Sequence, residues 1–235
     1  MVVKPKELWP LKVILLSTLL IGYNAALSVL PGRLHSMVYV PANMLVAVLL
    51  LAWSNLADGS PLAELGLARG SHNLAGAIWG MCSGLIVGLP VMFALLALRP
   101  YLPPEAVREF APVGVIELLW RLLIWIPLGT VVLEETAFRG VLLSLLQRTS
   151  GLWRGVLLSS LVFGLWHVGL VVRAALAGSL AKESALLGFI AVAACAFVAG
   201  IGLALVRLRT STLVGSMMMH LAVNSLVTVG LWQPR

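Results

Sequence analysis

Three short polar groups interrupt a chain that is otherwise apolar. The first is Glu134-Glu135 with Arg139. The second is His167, at the end of Phe163-Gly164-Leu165-Trp166-His167. The third is His220 with Asn224. Carboxylate, imidazole and carboxamide groups are those that move protons and stabilise developing oxyanions in hydrolysis. The acidic pair lies between Val131-Val132-Leu133 and Val141-Leu142-Leu143. At mid-membrane depth a charged side chain costs about 2.5–3.5 kcal/mol. Such residues persist where they face a protein interior and have a partner or a role there.

Spacing assigns first roles. On a helix Glu135 and Arg139 are four apart and share a face, so they can pair. Glu134 is turned about 100° away and has no partner on its own helix. One braced carboxylate beside one spare carboxylate suits a support next to a working acid or base. The bland alternative is a solvated helix end with a chance acidic pair, and the apolar flanks argue against it. A lone His on an apolar helix is more often a satisfied core residue, but register favours a role for His167. The turn between the two helices centres near Ser150-Gly151, with Glu134 and His167 each about 16 residues from it. In an antiparallel hairpin both then stand about 24 Å from the turn, level with each other. His220 and Asn224, four apart on the last apolar helix, could aim two N–H donors at one oxyanion. They could equally form a hydrogen bond that glues helices together.

The elements that must hold these residues are membrane spans. Sixty per cent of the 235 residues are hydrophobic and 11% are charged, against about 45–50% and 25% in a soluble globular domain. The reading is an all-α, polytopic transmembrane bundle of about seven spans (six to eight), at residues 11–30, 38–57, 74–98, 127–148, 153–172, 185–206 and 213–232. Segment 113–126 carries Glu117 and Arg121 and reads as an interfacial helix anchored by Trp120 and Trp125, broken from the next span at Pro127. It could instead be an eighth span. Residues 1–112 read as a membrane-helix scaffold and 113–235 as the catalytic core, because the first three spans hold almost no ionisable residues. The first apolar run is longer than a signal-peptide core and reads as a retained helix.

The net charge of +7 comes from Lys and Arg between apolar runs, beginning with Lys4, Lys6 and Lys12, which suits contact with lipid head groups. No basic stripe is interleaved with exposed aromatics, so nucleic acid is not an expected partner. Cys82 and Cys195 lie within apolar runs and read as small buried apolar residues. The basic residues divide almost evenly between alternate connectors, but the tight turns at Arg148–Arg154 and Arg207–Arg209 favour a cytoplasmic N-terminus. That orientation puts the turn near Gly151 in the cytoplasm and opens the site outward.

The three motifs, in order and each on a span, resemble the CPBP family, the CAAX proteases and bacteriocin-processing enzymes also called the Abi family. Its pattern is EExxxR, then FxxxH, then HxxxN or HxxxD. Glu134, Glu135 and Arg139 match the first, Phe163 and His167 the second, His220 and Asn224 the third. The resemblance covers roughly residues 127–229. It implies an intramembrane peptidase in which Glu134 and His167 activate water, His220 and Asn224 form the oxyanion site, and Glu135, Arg139 and Phe163 support them. It implies no cofactor. The alternative is zinc held by Glu134, His167 and His220, although no HExxH is present. The implied partners are the lipid bilayer and a membrane-anchored protein or peptide: a sorting tail, a leader or a CAAX tail. Small size and short loops fit a compact form in a prokaryotic plasma membrane. Competing readings are a non-enzymatic membrane scaffold or bacteriocin-immunity factor, and a proton-coupled transporter.

Overall fold

The computed structural model describes residues 9–56, 58–68, 70, 72–101, 114–176, 178 and 182–232. All regular structure among them is helical. Seven helices are long and apolar enough to cross a membrane. They are α1 (Trp9–Ser28), α2 (Gly32–Leu56), α3 (His72–Leu98), α4 (Val115–Ser150), α5 (Leu152–Leu176), α6 (Lys182–Thr210) and α7 (Leu213–Leu231). Large apolar side chains such as Leu19, Ile78, Ile86, Phe93, Leu157 and Val198 are exposed around the bundle. Apolar surface on that scale needs lipid as its solvent, and the chain is an integral, multi-pass membrane protein. Lys4, Lys6 and the boundary expected between residues 112 and 113 lie outside the described residues.

Two expectations are corrected. Segment 113–126 is not a separate interfacial helix: from Val115 it runs without a break through Pro127 into the following span. Pro127 sits inside a π-helical stretch, Arg121–Val131. In an α-helix the proline ring collides with the carbonyl four residues back. A wider turn, closed from i to i+5, relieves that crowding and absorbs the missing donor. The 36 residues of α4 span at most about 54 Å at the α-helical rise, so α4 outruns a hydrocarbon core of about 30 Å or tilts within it. Glu117 and Arg121 still pair, at 2.7 Å. The second correction concerns Cys82 and Cys195, which are exposed on α3 and α6 rather than buried. In lipid an outward apolar side chain is no worse placed than an inward one, so hydrophobicity alone does not send a residue to the core.

Helix α2 begins six residues before the expected 38–57 span. Arg33, His35 and Ser36 lower hydropathy without stopping a helix, and they place His35, Ser36 and Tyr39 on helical positions.

The closest helix pair is α3 with α7. Gly76, Gly80, Gly84 and Gly88 form a stripe along α3. A Cβ at Gly76 would meet Thr212, one at Gly80 would lie 1.9 Å from the Gly215 carbonyl oxygen, one at Gly84 would meet Ala222 and Met219, and one at Gly88 would meet Leu226 and Val223. The numbers rise together, so the two helices run parallel. Small residues four apart let two backbones touch, the usual means of helix association in lipid. This contact sets the depth and rotation of α7, which carries His220 and Asn224.

One end of the bundle is closed by residues 58–68. Asp58 accepts hydrogen bonds from Lys12 Nζ at 2.7 Å, from Ser60 Oγ at 2.8 Å and from Arg148. Burial alone would raise the Asp58 pKa; these bonds and the Arg148 charge outweigh it and hold the carboxyl below its ordinary value. Arg207 Nη2 donates to the Glu64 carbonyl at 2.9 Å, Leu213 N donates to the Gly66 carbonyl at 2.8 Å, and Leu65 is fully buried. This segment therefore ties together α1, α4, α6 and the start of α7.

The glycine stripe is testable. Gly80→Ala should lower the melting temperature in detergent, with a loss of about 1–3 kcal/mol for an overpacked contact. Gly22→Ala, where a Cβ meets nothing within 4 Å, should not. Equal melting of both variants would show that α3 and α7 do not touch at Gly80.

Candidate active site

The site is built around a second π-helical stretch of α4, Glu135–Leu142. In a turn closed from i to i+5, residue i+4 lies almost above residue i. Arg139 Nη1 accordingly stands 3.1 Å from Glu135 Oε1. The contact is an ion pair by distance, while Nη1 and Nη2 lack an aligned hydrogen bond. The guanidinium carbon lies 3.9 Å from the centroid of the Phe163 ring, over its face, so a carboxylate and a π-cloud share the neutralisation of one buried cation. Glu135 is 0% exposed, Arg139 2% and Glu134 5%.

Phe163 packs on more than Arg139. Its ring meets Phe138 at 5.1 Å, His167 at 4.7 Å and His220 at 6.1 Å between centroids, all edge to face. It is the apolar block against which both imidazoles and the arginine are set.

His220 bridges the two carboxylates. Its Nδ1 donates to Glu135 Oε1 at 2.9 Å. That bond fixes the ring, so that Nε2 faces Glu134 Oε2 at 3.8 Å, too far for a direct hydrogen bond. The other oxygen of Glu134, Oε1, accepts from the indole Nε1 of Trp166 at 3.0 Å. Glu134 Oε2 is buried with no hydrogen-bond partner in the protein. Arg139, Glu135, His220 and Glu134 thus follow one another in a line from buried brace to open carboxylate.

His167 occupies the break in α5, between Leu152–Trp166 and Val168–Leu176. Its Nδ1 donates to the Phe163 carbonyl at 2.8 Å. A carbonyl only accepts, so Nδ1 carries the proton and a neutral ring presents Nε2 as an acceptor. The hairpin register agrees with the sequence reading: Phe138 lies against Phe163 and Trp166, and Glu134 is level with Trp166-His167. The side chain that reaches Glu134 from this corner is Trp166, one residue before the histidine that spacing singled out.

Glu134, His167, His220 and Asn224 line one cavity of about 660 Å³. It runs from Glu134 past Thr130 and Trp125 to Arg121 on α4, and past Leu170 to Arg173 on α5. Helices α1 and α2 complete its wall with Asn24, Ser28, His35 and Tyr39. The cavity lies toward the C-terminal ends of α1, α5 and α7, away from the closed end at residues 58–68. Asn224 lines it one helical turn beyond His220, on the same side of α7. Among the described residues no group of three or more His, Cys, Asp or Glu side chains is arranged to hold a metal ion.

Sequence reasoning missed Trp166, Asn24 and Tyr39. Tyr39 stacks on Trp125 at 4.4 Å and its hydroxyl is 3.1 Å from Thr130 Oγ1. Aromatic and amide residues in apolar runs carry no charge penalty, so nothing local marks them. The brace itself is testable. Removing one partner of a buried ion pair costs about 3–5 kcal/mol, so Arg139→Ala should cut the yield of folded protein and its melting temperature. Unchanged melting with lost function would place Arg139 in contact with substrate instead.

Residues 115–226 match the family described as Type II CAAX prenyl endopeptidase Rce1-like. The matched segment contains Glu134, Glu135, Arg139, Phe163, His167, His220 and Asn224, every residue of the three motifs. No curated protein and no solved structure matches the chain. The family implies a membrane peptidase acting on protein or peptide substrates. Residues 115–226, just under half of the chain, are thus similar to the Rce1-like type II CAAX prenyl endopeptidases.

Proposed function

We propose that the chain is an intramembrane endopeptidase that hydrolyses a peptide bond near the membrane surface, using water activated by Glu134 and His167 and an oxyanion site made by His220 and Asn224. The observation that carries this reading is the state of Glu134. One oxygen is held by Trp166, and the other is buried without a protein partner, 3.8 Å from His220 Nε2 at the inner end of the cavity.

The chemistry follows from the donors and acceptors. Water between Glu134 and His167 gives a proton to Glu134 Oε2 while its oxygen adds to the scissile carbonyl carbon. The carbonyl oxygen becomes an oxyanion within reach of His220 Nε2–H and the Asn224 carboxamide, two donors one helical turn apart. The C–N bond then breaks, and Glu134 returns its proton to the leaving amine. For His220 to donate from Nε2 while Nδ1 donates to Glu135, the ring must carry both protons. The charges of Arg139, Glu135, His220 and Glu134 then sum to zero, which suits a buried cluster.

The substrate is a membrane-anchored protein or peptide: a sorting tail, a leader or a CAAX-like tail. The family description names CAAX prenyl substrates, so a prenylated CAAX peptide is the first to test. Glu134→Gln should reduce cleavage at least about 100-fold while the protein still folds, because the Glu135–Arg139 brace is untouched. Turnover close to the parent rate would remove Glu134 as the base.

The mechanism is proposed to need no metal. Asn224 suits a donor better than a ligand, and no HExxH pair is present. Activity should survive dialysis against a strong chelator. Loss on chelation with recovery on adding zinc would reverse this reading and make Glu134, His167 and His220 ligands.

A further inference from the structure

We propose that Trp166 is a positioning residue for this hydrolysis, and that it decides which oxygen of Glu134 takes the proton from water. The inference rests on the reading of Glu134 as the base. An indole nitrogen is a donor only, and a buried indole needs an acceptor. Trp166 is 4% exposed, and its one donor is spent on Glu134 Oε1 at 3.0 Å. A carboxylate oxygen already receiving an N–H is the poorer proton acceptor of the two. The proton from water therefore goes to Oε2, the oxygen that faces His220 Nε2. Without the indole N–H this bond no longer sets the two oxygens apart, and the carboxylate can rotate away from the orientation the reaction uses.

Trp166 is itself held from an unexpected direction. It is the last residue before the break in α5. Beyond the break Leu170 N bonds the His167 carbonyl, leaving the Trp166 carbonyl without that donor. Asn24 Nδ2, on α1, donates to the Trp166 carbonyl. The indole also stacks on Tyr23 of α1, with centroids 6.3 Å apart and planes 28° apart, and packs edge-on against Phe138 at 5.5 Å. The contact is close along this seam: a Cβ at Gly169 would lie 2.3 Å from Ser28 Oγ and 2.9 Å from Asn24 Nδ2. A helix outside the matched segment 115–226 thus sets the orientation of the proposed base, through a chain of contacts from Asn24 to Trp166 to Glu134.

The test separates the N–H from the ring. Trp166→Phe keeps an aromatic ring but loses the donor. Replacing Trp166 by 3-benzothienylalanine keeps the indole outline, with sulfur where the N–H stood. Both should lower kcat about 10- to 100-fold, the range for losing one hydrogen bond to a charged group, with KM within about twofold of the parent. The benzothienyl protein should also melt as the parent does. In a Glu134→Gln background the Trp166 substitutions should cause no further loss. Parent-level kcat in the benzothienyl protein would overturn the proposal, since the ring alone would then suffice. If that result accompanied an inactive Glu134→Gln protein, Glu134 would stand as the base and only the role of Trp166 would fall. An active Glu134→Gln protein would remove both.

Discussion

Three charged side chains buried within about one helical turn of each other in an apolar bundle constrain everything around them. Glu134, Glu135 and Arg139 would be prohibitively costly in lipid or in an unpaired core. Glu135 and Arg139 neutralise each other at 3.1 Å, and the face of Phe163 takes up part of the guanidinium charge. Glu135 is then committed twice, to Arg139 and to His220. Glu134 stays outside that ion pair, and of the two carboxylates it is the one that lines the cavity. The two carboxylates differ in their partners, not in their chemical type.

The surrounding fold can be understood as what keeps that line of groups in register and wet from one direction. The glycine stripe on α3 brings α7 into backbone contact, and α7 carries His220 to the carboxylates of α4 and Asn224 to the cavity wall. The hairpin of α4 and α5 sets Phe163, Trp166 and His167 at the same depth. Residues 58–68, pinned by Asp58, Leu65 and Gly66, close one end of the bundle. The cavity reaches Glu134 from the other end, past the rings of Trp125 and Tyr39 and the Glu117–Arg121 pair.

Irregular helix geometry coincides with the candidate site twice. The π-helical stretch from Glu135 stacks Arg139 over Glu135, and the break at His167 frees carbonyls and turns the imidazole toward the cavity. Both departures carry a local cost in backbone hydrogen bonding. Asn24 offsets it at the Trp166 carbonyl, and the Phe163 carbonyl is used again by His167 Nδ1. Wide turns and breaks of this kind are common where a membrane helix carries a function.

Much of this was legible in the sequence because period and polarity are local. Seven apolar runs became seven helices. The four-residue spacing of Glu135 with Arg139 became an ion pair, and equal distances from Gly151 brought Glu134 level with the Trp166-His167 corner. The glycines at 76, 80, 84 and 88 are a readable contact motif too, though spacing says only that some helix approaches closely, not that α7 does so in parallel. Other features belong to the tertiary structure alone. Whether Pro127 breaks α4 depends on the turn width its neighbours allow. Whether Cys82 and Cys195 are buried depends on which faces the bundle turns to lipid, where hydrophobicity no longer separates inside from outside. That Trp166 rather than His167 reaches Glu134 depends on the break in α5, and Asn24 enters the site only because α1 packs across that break. Sequence determined which groups were too polar to be idle in a membrane; the packing of the helices decided which atom of each faces which partner, because that is set by contacts between distant residues such as Asn24 and Trp166, 142 positions apart.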